Sequence, residues 1–215
     1  CTTRLEDVFI GGAKGTSGQL LFQIKSGSFS PSNSAVFEKN KDSEDLGALF
    51  FDADNDKDLD LYIVSGGNEF EIDSEELQDR LYINNGRGSF TKNVSGLPKM
   101  LTSGSCVTAS DFDGDGDQDL FVGGRLVPGK YPTAPRSYIL ANDGKGNFTD
   151  VTSKAPDSPV CADDDGSWGL AVQLNKAGTG TNNVYFCADS TGYAGELDLA
   201  ANPISTTGPD TDCNA

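Results

Sequence analysis

Short apolar segments alternate with segments rich in glycine, asparagine, aspartate and serine along most of the chain. Examples are "LYIV" at 61–64 and "LFVGG" at 120–124. Apolar runs of this length, bounded by turn-forming residues, are typical of β-strands rather than of helices. The 26 glycines and 9 prolines among 215 residues favour the same interpretation, because both residue types shape turns. We therefore predict a mainly β fold.

Two long stretches of the chain repeat each other's pattern. "DADNDKDLDLYIV" begins at residue 52 and "DFDGDGDQDLFVGG" begins at residue 111, so the aspartates of the first recur 59 positions later. Downstream, "LYINNGRGSFTKNV" at 81–94 matches "ILANDGKGNFTDVT" at 139–152 at an offset of 58. Because two separate features share nearly the same offset, we interpret them as a true internal repeat.

A partial copy precedes the two full ones, since "DVFIGG" at 7–12 matches "DLFVGG" at 119–124. Each full unit predicts an aspartate loop, a strand, a variable loop, a second strand, an Asn/Gly hairpin turn and a short strand. Such a small antiparallel sheet cannot bury its own apolar face, so the units must stack as tandem blades of propeller type. Fewer than three copies do not reach the roughly four to eight blades of a closed ring. We expect an incomplete propeller or blades completed by neighbouring chains, with the boundaries 1–38 (partial), 46–97 and 105–155.

The aspartate loops have the composition of calcium sites. Aspartates at positions 1, 3, 5 and 9, with a backbone carbonyl at position 7, approach the six to eight oxygens that Ca²⁺ takes. Position 6 is Gly116 in the second loop but Lys57 in the first, which predicts a less regular first site. An EF-hand is excluded, because Ile63 and Val122 stand where its bidentate glutamate would be. We predict two Ca²⁺ sites, with the candidate ligands Asp52, Asp54, Asp56, Asp58, Asp60, Asp111, Asp113, Asp115, Asp117 and Asp119.

These motifs resemble the FG-GAP or VCBS repeats found in integrin α-subunit propellers and in many secreted bacterial proteins. The resemblance covers residues 1–155 and implies propeller blades with calcium in the loop between two strands. It implies that Asp58 and Asp117 bind the ion through their backbone carbonyls and that the other aspartates bind through their side chains. The chain departs from the family pattern in its small number of repeats and in its first copy, which lacks the aspartate loop, since "CTTRLED" stands in its place.

The charge balance restricts the partners. The chain carries 33 acidic and 16 basic residues, a formal charge of −17, which repels nucleic acids and anionic membrane surfaces and attracts cations. No apolar run approaches the roughly 20 residues that span a bilayer. The first residue is Cys1 rather than Met, so we expect a processed mature form or a fragment.

Residues 156–215 depart from the repeat and are predicted to form a small β subdomain. "WGLAVQL" and "VYFCAD" predict two strands joined by a Gly/Asn turn. The absence of histidine and of C-x-x-C spacing favours disulfides over a zinc site, with Cys161, Cys187 and Cys213 as candidates in an oxidising compartment. This region also resembles, more weakly, the C-terminal region of type IV pilin and pseudopilin heads.

The favoured function is a non-enzymatic, calcium-binding, extracellular or cell-surface module for adhesion or scaffolding, whose partner is a protein or a glycan. The alternative is a structural subunit of an extracellular filament or pilus, assembled from copies of itself. An enzyme is the weakest hypothesis, because there is no histidine and the obvious carboxylates are assigned to metal. A loop at 125–136 predicts a partner-binding site through its basic and aromatic residues Arg125, Lys130, Tyr131 and Arg136.

Overall fold

Short antiparallel strands make up nearly all of the regular structure in the computed structural model. The structure describes residues 6–32 and 35–152, and the backbone alone of 169–174, 184–189 and 194–198. The strands are β1 (Val8–Ile10), β2 (Gln19–Lys25), β3 (Ser28–Pro31), β4 (Glu44–Phe51), β5 (Asp60–Gly66), β6 (Arg80–Asn84), β7 (Phe90–Lys92), β8 (Ser103–Ser110), β9 (Asp119–Leu126), β10 (Tyr138–Asn142), β11 (Phe148–Asp150), β12 (Gly169–Leu174), β13 (Val184–Asp189) and β14 (Ala194–Asp198). One short helix, α1 (Ala35–Glu38), and a 3₁₀ turn at Glu75–Leu77 complete the described elements.

The strands form one sheet for each predicted repeat. The first sheet has the order β1-β2-β3, the second β4-β5-β6-β7 and the third β8-β9-β10-β11, and all their pairings are antiparallel. The second and third sheets have the same register, since Leu61 pairs with Tyr82 and Leu120 pairs with Leu140. The prediction of a mainly β, antiparallel fold is therefore confirmed. The described residues do not form a closed ring of blades.

The chain divides into two compact units, residues 1–111 with 116–151, and residues 112–115 with 152–215. In the second unit, β12, β13 and β14 form a three-stranded antiparallel sheet. The two strands predicted from "WGLAVQL" and "VYFCAD" are thus present in the backbone. Of the disulfide candidates, Cys161 and Cys213 lie outside the described residues, and only the backbone of Cys187 is described.

The second sheet is buried on both of its faces, because successive strand residues point in opposite directions. Leu61 and Ile63 join a core with Leu20 of the first sheet. Tyr62 and Val64, the alternate residues of β5, join a different core with residues of the third sheet, among them Leu120, Val122, Leu140 and Phe148. Burial of every residue of β5 follows from this stacking. The aspartate loops begin where β4 and β8 end, beside these cores.

None of the helices in the described part of the chain is both long and apolar enough to cross a membrane.

Candidate metal centres

The first aspartate loop connects β4 to β5 in a tight path that needs a left-handed backbone at two residues. Asn55 and Lys57 have φ angles of 62° and 75°, and the equivalent Gly114 and Gly116 of the second loop have φ angles of 80° and 98°. Glycine adopts a positive φ angle without a steric penalty, whereas a residue with a Cβ atom adopts it at a cost. Lys57 therefore follows the same turn as Gly116. The prediction that the first site is the weaker one stays a prediction.

The loop geometry brings carboxylate oxygens together in both repeats. One oxygen from each of Asp52, Asp54 and Asp60 lies within 4.8 Å of the others. In the second repeat, the same holds for Asp111, Asp113 and Asp115. Clusters of carboxylate oxygens at this spacing are what a hard cation such as Ca²⁺ binds. Six of the ten predicted ligands are thereby grouped.

The first cluster has oxygen atoms that lack any hydrogen-bond donor among the described residues. The Oδ1 atoms of Asp52 and Asp54 are both inaccessible to solvent and without a hydrogen-bond partner there. The Oδ1 atom of Asp58 is in the same state. A buried carboxylate oxygen with no donor is costly, since it loses its hydration without compensation. A bound cation would remove this penalty, so the residues of the loop fit a metal ion.

Burial and mutual repulsion disfavour the ionised carboxylates of this loop. Burial raises the pKa of Asp54, and the neighbouring charges of Asp56 and Asp52 raise it further. Burial likewise raises the pKa of Asp58, again with a contribution from Asp56. Each ionised carboxylate raises the pKa of its neighbours, and a divalent cation between them lowers it. The electrostatic state of the loop therefore favours a positive ligand.

Asp60 holds the first loop to the sheet in addition to belonging to the cluster. It is fully buried, and its two oxygens accept hydrogen bonds from the backbone N–H groups of Ala53 at 2.8 Å and Asn84 at 2.7 Å. Burial raises the pKa of Asp60 to about 6, although these two N–H groups oppose the shift. Asp119 repeats part of this arrangement, since it is buried and accepts the N–H of Asn142 at 2.8 Å. In the first loop, position 9 therefore links the candidate metal cluster to the hairpin.

The hairpin of the third sheet covers the loop of the second sheet. The side-chain amide of Asn142 donates to the carbonyl of Ala53 at 2.9 Å and to the carbonyl of Gln118 at 3.1 Å. A Cβ atom added to Gly144 would lie 2.9 Å from the side chain of Asn55. The glycine of this hairpin thus allows a close approach, which contributes to the burial of the first cluster. The sequences "NNG" and "NDG" predict the two hairpin turns but not the contact that Asn142 makes with the first loop.

Four predicted ligands lie in the loops but outside the two clusters, namely Asp56, Asp58, Asp117 and Asp119. The Oδ1 atom of Asp56 accepts the N–H of Asp58 at 3.0 Å. A Cβ atom added to Gly86 would lie 3.1 Å from Oδ2 of Asp58, and one added to Gly144 would lie 3.1 Å from Oδ2 of Asp117. The Oδ2 atoms of Asp58 and Asp117 therefore lie beside the hairpin glycines, and the predicted binding of a metal through the backbone carbonyls of these two residues stays a prediction.

The predicted partner loop places its residues in different environments. Tyr131 is 94 % exposed. Arg136 donates to Asp150 at 2.5 Å and lies 4.7 Å from the ring centre of Tyr138, so its guanidinium lies against the third sheet. Arg125 lies in β9, and Lys130 lies in a turn where its N–H donates to the carbonyl of Val127. Arg125, Lys130 and Tyr131 are all exposed, whereas Arg136 is engaged by two side chains of the third sheet.

Comparison with known proteins identifies one family. Residues 52–122 match the sequence model of the family described as FG-GAP-like repeat. This stretch contains both aspartate loops, together with β5 to β8. The predicted FG-GAP-like repeats are therefore confirmed, whereas no match supports the predicted pilin resemblance. No curated protein and no solved structure matches the chain.

Proposed function

We propose that this chain is a non-enzymatic, calcium-binding module that acts outside the cell or on its surface in adhesion or scaffolding. The observation that carries the proposal is the orphaned pair of buried oxygens in the first loop, Oδ1 of Asp52 and Oδ1 of Asp54, within a cluster of converging carboxylates. A second cluster at the same position of the next repeat supports the same ligand. The FG-GAP-like match over both loops is compatible with an adhesion or scaffolding role.

Two calcium sites follow from the two clusters. Asp52, Asp54 and Asp60 would hold one ion, and Asp111, Asp113 and Asp115 would hold the other. Backbone carbonyls of the loops and water would complete the coordination shell, since Ca²⁺ takes six to eight oxygens. The bound ion supplies positive charge that neutralises the loop and fixes its path. Each loop is then a rigid connection between two strands.

The external location is supported by the FG-GAP-like match, since repeats of this type are typical of extracellular proteins. Extracellular calcium modules bind with dissociation constants of about 10⁻⁴ to 10⁻³ M, and we expect an affinity in this range for both loops. A protein or glycan partner would bind the loop at 125–136, where Tyr131 is 94 % exposed. Blades of propeller type are the proposed architecture of the repeats.

Calcium titration followed by thermal unfolding tests the proposal. We expect calcium to raise the melting temperature, and magnesium at the same concentration to have a much smaller effect, because Mg²⁺ demands a smaller octahedral site. Asp52→Asn with Asp54→Asn should remove one binding event in calorimetry, and Asp111→Asn with Asp115→Asn should remove the other.

The matched control is Glu71→Gln, which removes an exposed carboxylate in the loop between β5 and β6. It should leave both binding events unchanged. Absence of any calcium-dependent stabilisation in the unmodified chain would disprove the proposal. Equal losses of calcium binding in the control and in the loop variants would show that binding depends on net charge rather than on the two clusters.

A further inference from the structure

A cavity of about 600 Å³ lies between the first and the second sheet, beside the hairpin that joins β6 to β7. Its wall includes Phe22 of β2 and Phe50 of β4. Another part of the wall is formed by the hairpin residues Asn84, Gly86 and Gly88. A cavity of this volume can hold a short peptide segment or a small ligand.

The side-chain amide of Asn84 uses only part of its capacity to donate hydrogen bonds. In the third sheet, the amide of the equivalent Asn142 donates to Gln118 in its own repeat and to Ala53 in the loop of the preceding repeat. The amide of Asn84 donates to the carbonyl of Leu59, the equivalent of Gln118, and to no other residue in the described part of the chain. One N–H of Asn84 is therefore available to a carbonyl that enters the cavity.

The first glycine of the hairpin gives a second, independent comparison. A Cβ atom added to Gly144 would lie 3.1 Å from the side chain of Asp117, in its own repeat, and 2.9 Å from that of Asn55, in the preceding loop. A Cβ atom added to the equivalent Gly86 would lie 3.1 Å from Asp58, the counterpart of Asp117. Apart from its neighbours in the chain, Gly86 would meet no other described residue within 4 Å. The hairpin of the second sheet thus has the shape that receives a preceding loop, but no loop among the described residues lies there.

The segment before β1 stands where the loop of the first repeat belongs. Asp7 aligns with Asp119, which is the ninth position of the second aspartate loop. It also has the same role, because its Oδ1 atom accepts the N–H of Gln23 at 2.9 Å, as Asp119 accepts that of Asn142. Residues 1–5 therefore stand at positions 3–7 of such a loop, and they lie outside the described residues.

Position and charge both favour this segment as the occupant of the cavity. Glu6 and Asp7 line the cavity themselves, so the residues directly before them start at its wall. Asp58 is a third acidic residue of the wall, and Arg87 is the one basic residue among the described lining. The segment carries Arg4, whose positive charge is favoured beside three carboxylates. An aspartate loop from another copy of the chain would instead add negative charge to an acidic cavity.

We propose that residues 1–4 fold into this cavity and serve as the loop of the first repeat without a metal ion. A carbonyl of the segment accepts the second N–H of Asn84. The guanidinium of Arg4 supplies the positive charge that the two aspartate loops obtain from a bound cation. Cys1 and Thr3 stand at positions 3 and 5, where the other loops have aspartates, so this loop has no carboxylates there to neutralise.

Trypsin tests the docking of the segment, because it cleaves after Arg4 when the segment leaves the cavity. The rate of such cleavage follows the population of the open form. Mass spectrometry of the full chain with calcium present measures the release of residues 1–4. Leu59→Trp enlarges a residue of the cavity wall that is 40 % exposed. It should fill the space and raise the rate about tenfold, because the open form becomes more populated. Arg87→Glu adds a negative charge at the cavity and should lower the rate.

Two matched controls should leave the rate unchanged. Val94→Trp makes a similar enlargement at a residue that is 86 % exposed and outside the cavity. Lys145→Glu makes the same charge change as Arg87→Glu at the equivalent position of the other hairpin. Cleavage after Arg4 that is as fast in the unmodified chain as in Leu59→Trp would overturn the proposal and leave the cavity open to a basic segment of a partner. Equal rates in Arg87→Glu and Lys145→Glu would also overturn it. This second comparison decides the matter if Leu59→Trp lowers the melting temperature, because both of its positions are exposed.

Discussion

The side-chain amide of Asn142 donates a hydrogen bond to the backbone carbonyl of Ala53, 89 residues earlier in the chain, at 2.9 Å. Asn142 is 7 % exposed and lies at the end of β10, whereas Ala53 lies within the first aspartate loop. A residue of one repeat therefore holds the candidate metal loop of the repeat before it. The stability of the first loop depends on the third sheet for this reason.

We predict that Asn142→Ala destabilises the protein by about 2 to 3 kcal/mol, because it leaves buried carbonyl groups without a donor. It should also weaken calcium binding at the first loop. Asn84→Ala is the matched control, since Asn84 is the equivalent residue of the preceding hairpin and its amide donates within its own repeat, to Leu59. Urea unfolding and calcium calorimetry measure the two effects. Equal losses of stability and of calcium affinity in both variants would argue against a specific link between repeats.

Lys57 supports a second prediction, because it adopts a left-handed backbone with φ at 75°. Lys57→Gly should raise the free energy of unfolding by about 1 kcal/mol, since glycine enters this region without the penalty that a Cβ atom imposes. It should also raise the calcium affinity of the first loop toward that of the second. Both quantities can be measured by urea unfolding and calorimetry.

Lys57→Ala separates conformation from charge. Alanine also removes the positive charge but keeps the Cβ atom, so it should not give the stabilisation. Equal behaviour of the glycine and alanine variants would mean that the charge of Lys57, rather than its backbone, determines the outcome.

The buried pair of Arg80 and Asp45 supports a third prediction. Their side chains are 4 % and 6 % exposed and lie 2.7 Å apart, and Asp45 also accepts the N–H of Gly12 at 2.8 Å. Arg80→Met should cost about 3 to 5 kcal/mol, because it leaves a buried carboxylate without its partner. The exposed pair of Lys99 and Glu75 is the control. Lys99→Met should cost less than about 1 kcal/mol. If urea unfolding shows a similar, small decrease in the free energy of unfolding for both variants, the prediction is contradicted.

The strands and the hairpin turns were predictable because they depend on local pattern. The short apolar run in "DLYIV", bounded by turn-forming residues, and the Asn/Gly turns define β5 and the hairpins without information from distant residues. The spacing of the aspartates similarly predicted that the loops would gather carboxylates. Six of the predicted ligands are brought together, including Asp60 in the first loop and Asp115 in the second.

The remaining features depend on how separate sheets meet, which the local pattern does not encode. The contact between Asn142 and Ala53 exists because the second and third sheets stack. The same is true of the contrast between the exposed Val8 and the buried Leu61, which have similar sequence neighbours. Asp79 and Arg80 are both buried, although nothing in the local sequence distinguishes them from an exposed charged pair.

Asp79 supports the last prediction, which concerns pH. Its oxygens accept hydrogen bonds from the N–H of Ser65 and from the hydroxyl of Tyr62, both at 2.7 Å. Burial raises the pKa of Asp79 to about 7, although these two donors and the neighbouring Arg80 oppose the shift. In the unfolded chain the same carboxyl titrates near 4. Between these values the native state binds more protons than the unfolded state, so the free energy of unfolding falls as the pH rises from about 4 to about 7.

Asp79→Asn should remove this part of the pH dependence, because the amide has the shape of the protonated carboxyl and no charge. Urea unfolding at pH 5 and pH 8, at a fixed calcium concentration, measures how far the free energy of unfolding falls as the pH is raised. This fall should be smaller in the variant by on the order of 3 kcal/mol. The calcium loops titrate in both proteins and cancel in the comparison. Glu71→Gln, at an exposed carboxyl, should retain the full dependence. Identical pH profiles for Asp79→Asn and the unmodified chain would show that Asp79 stays ionised in the folded protein.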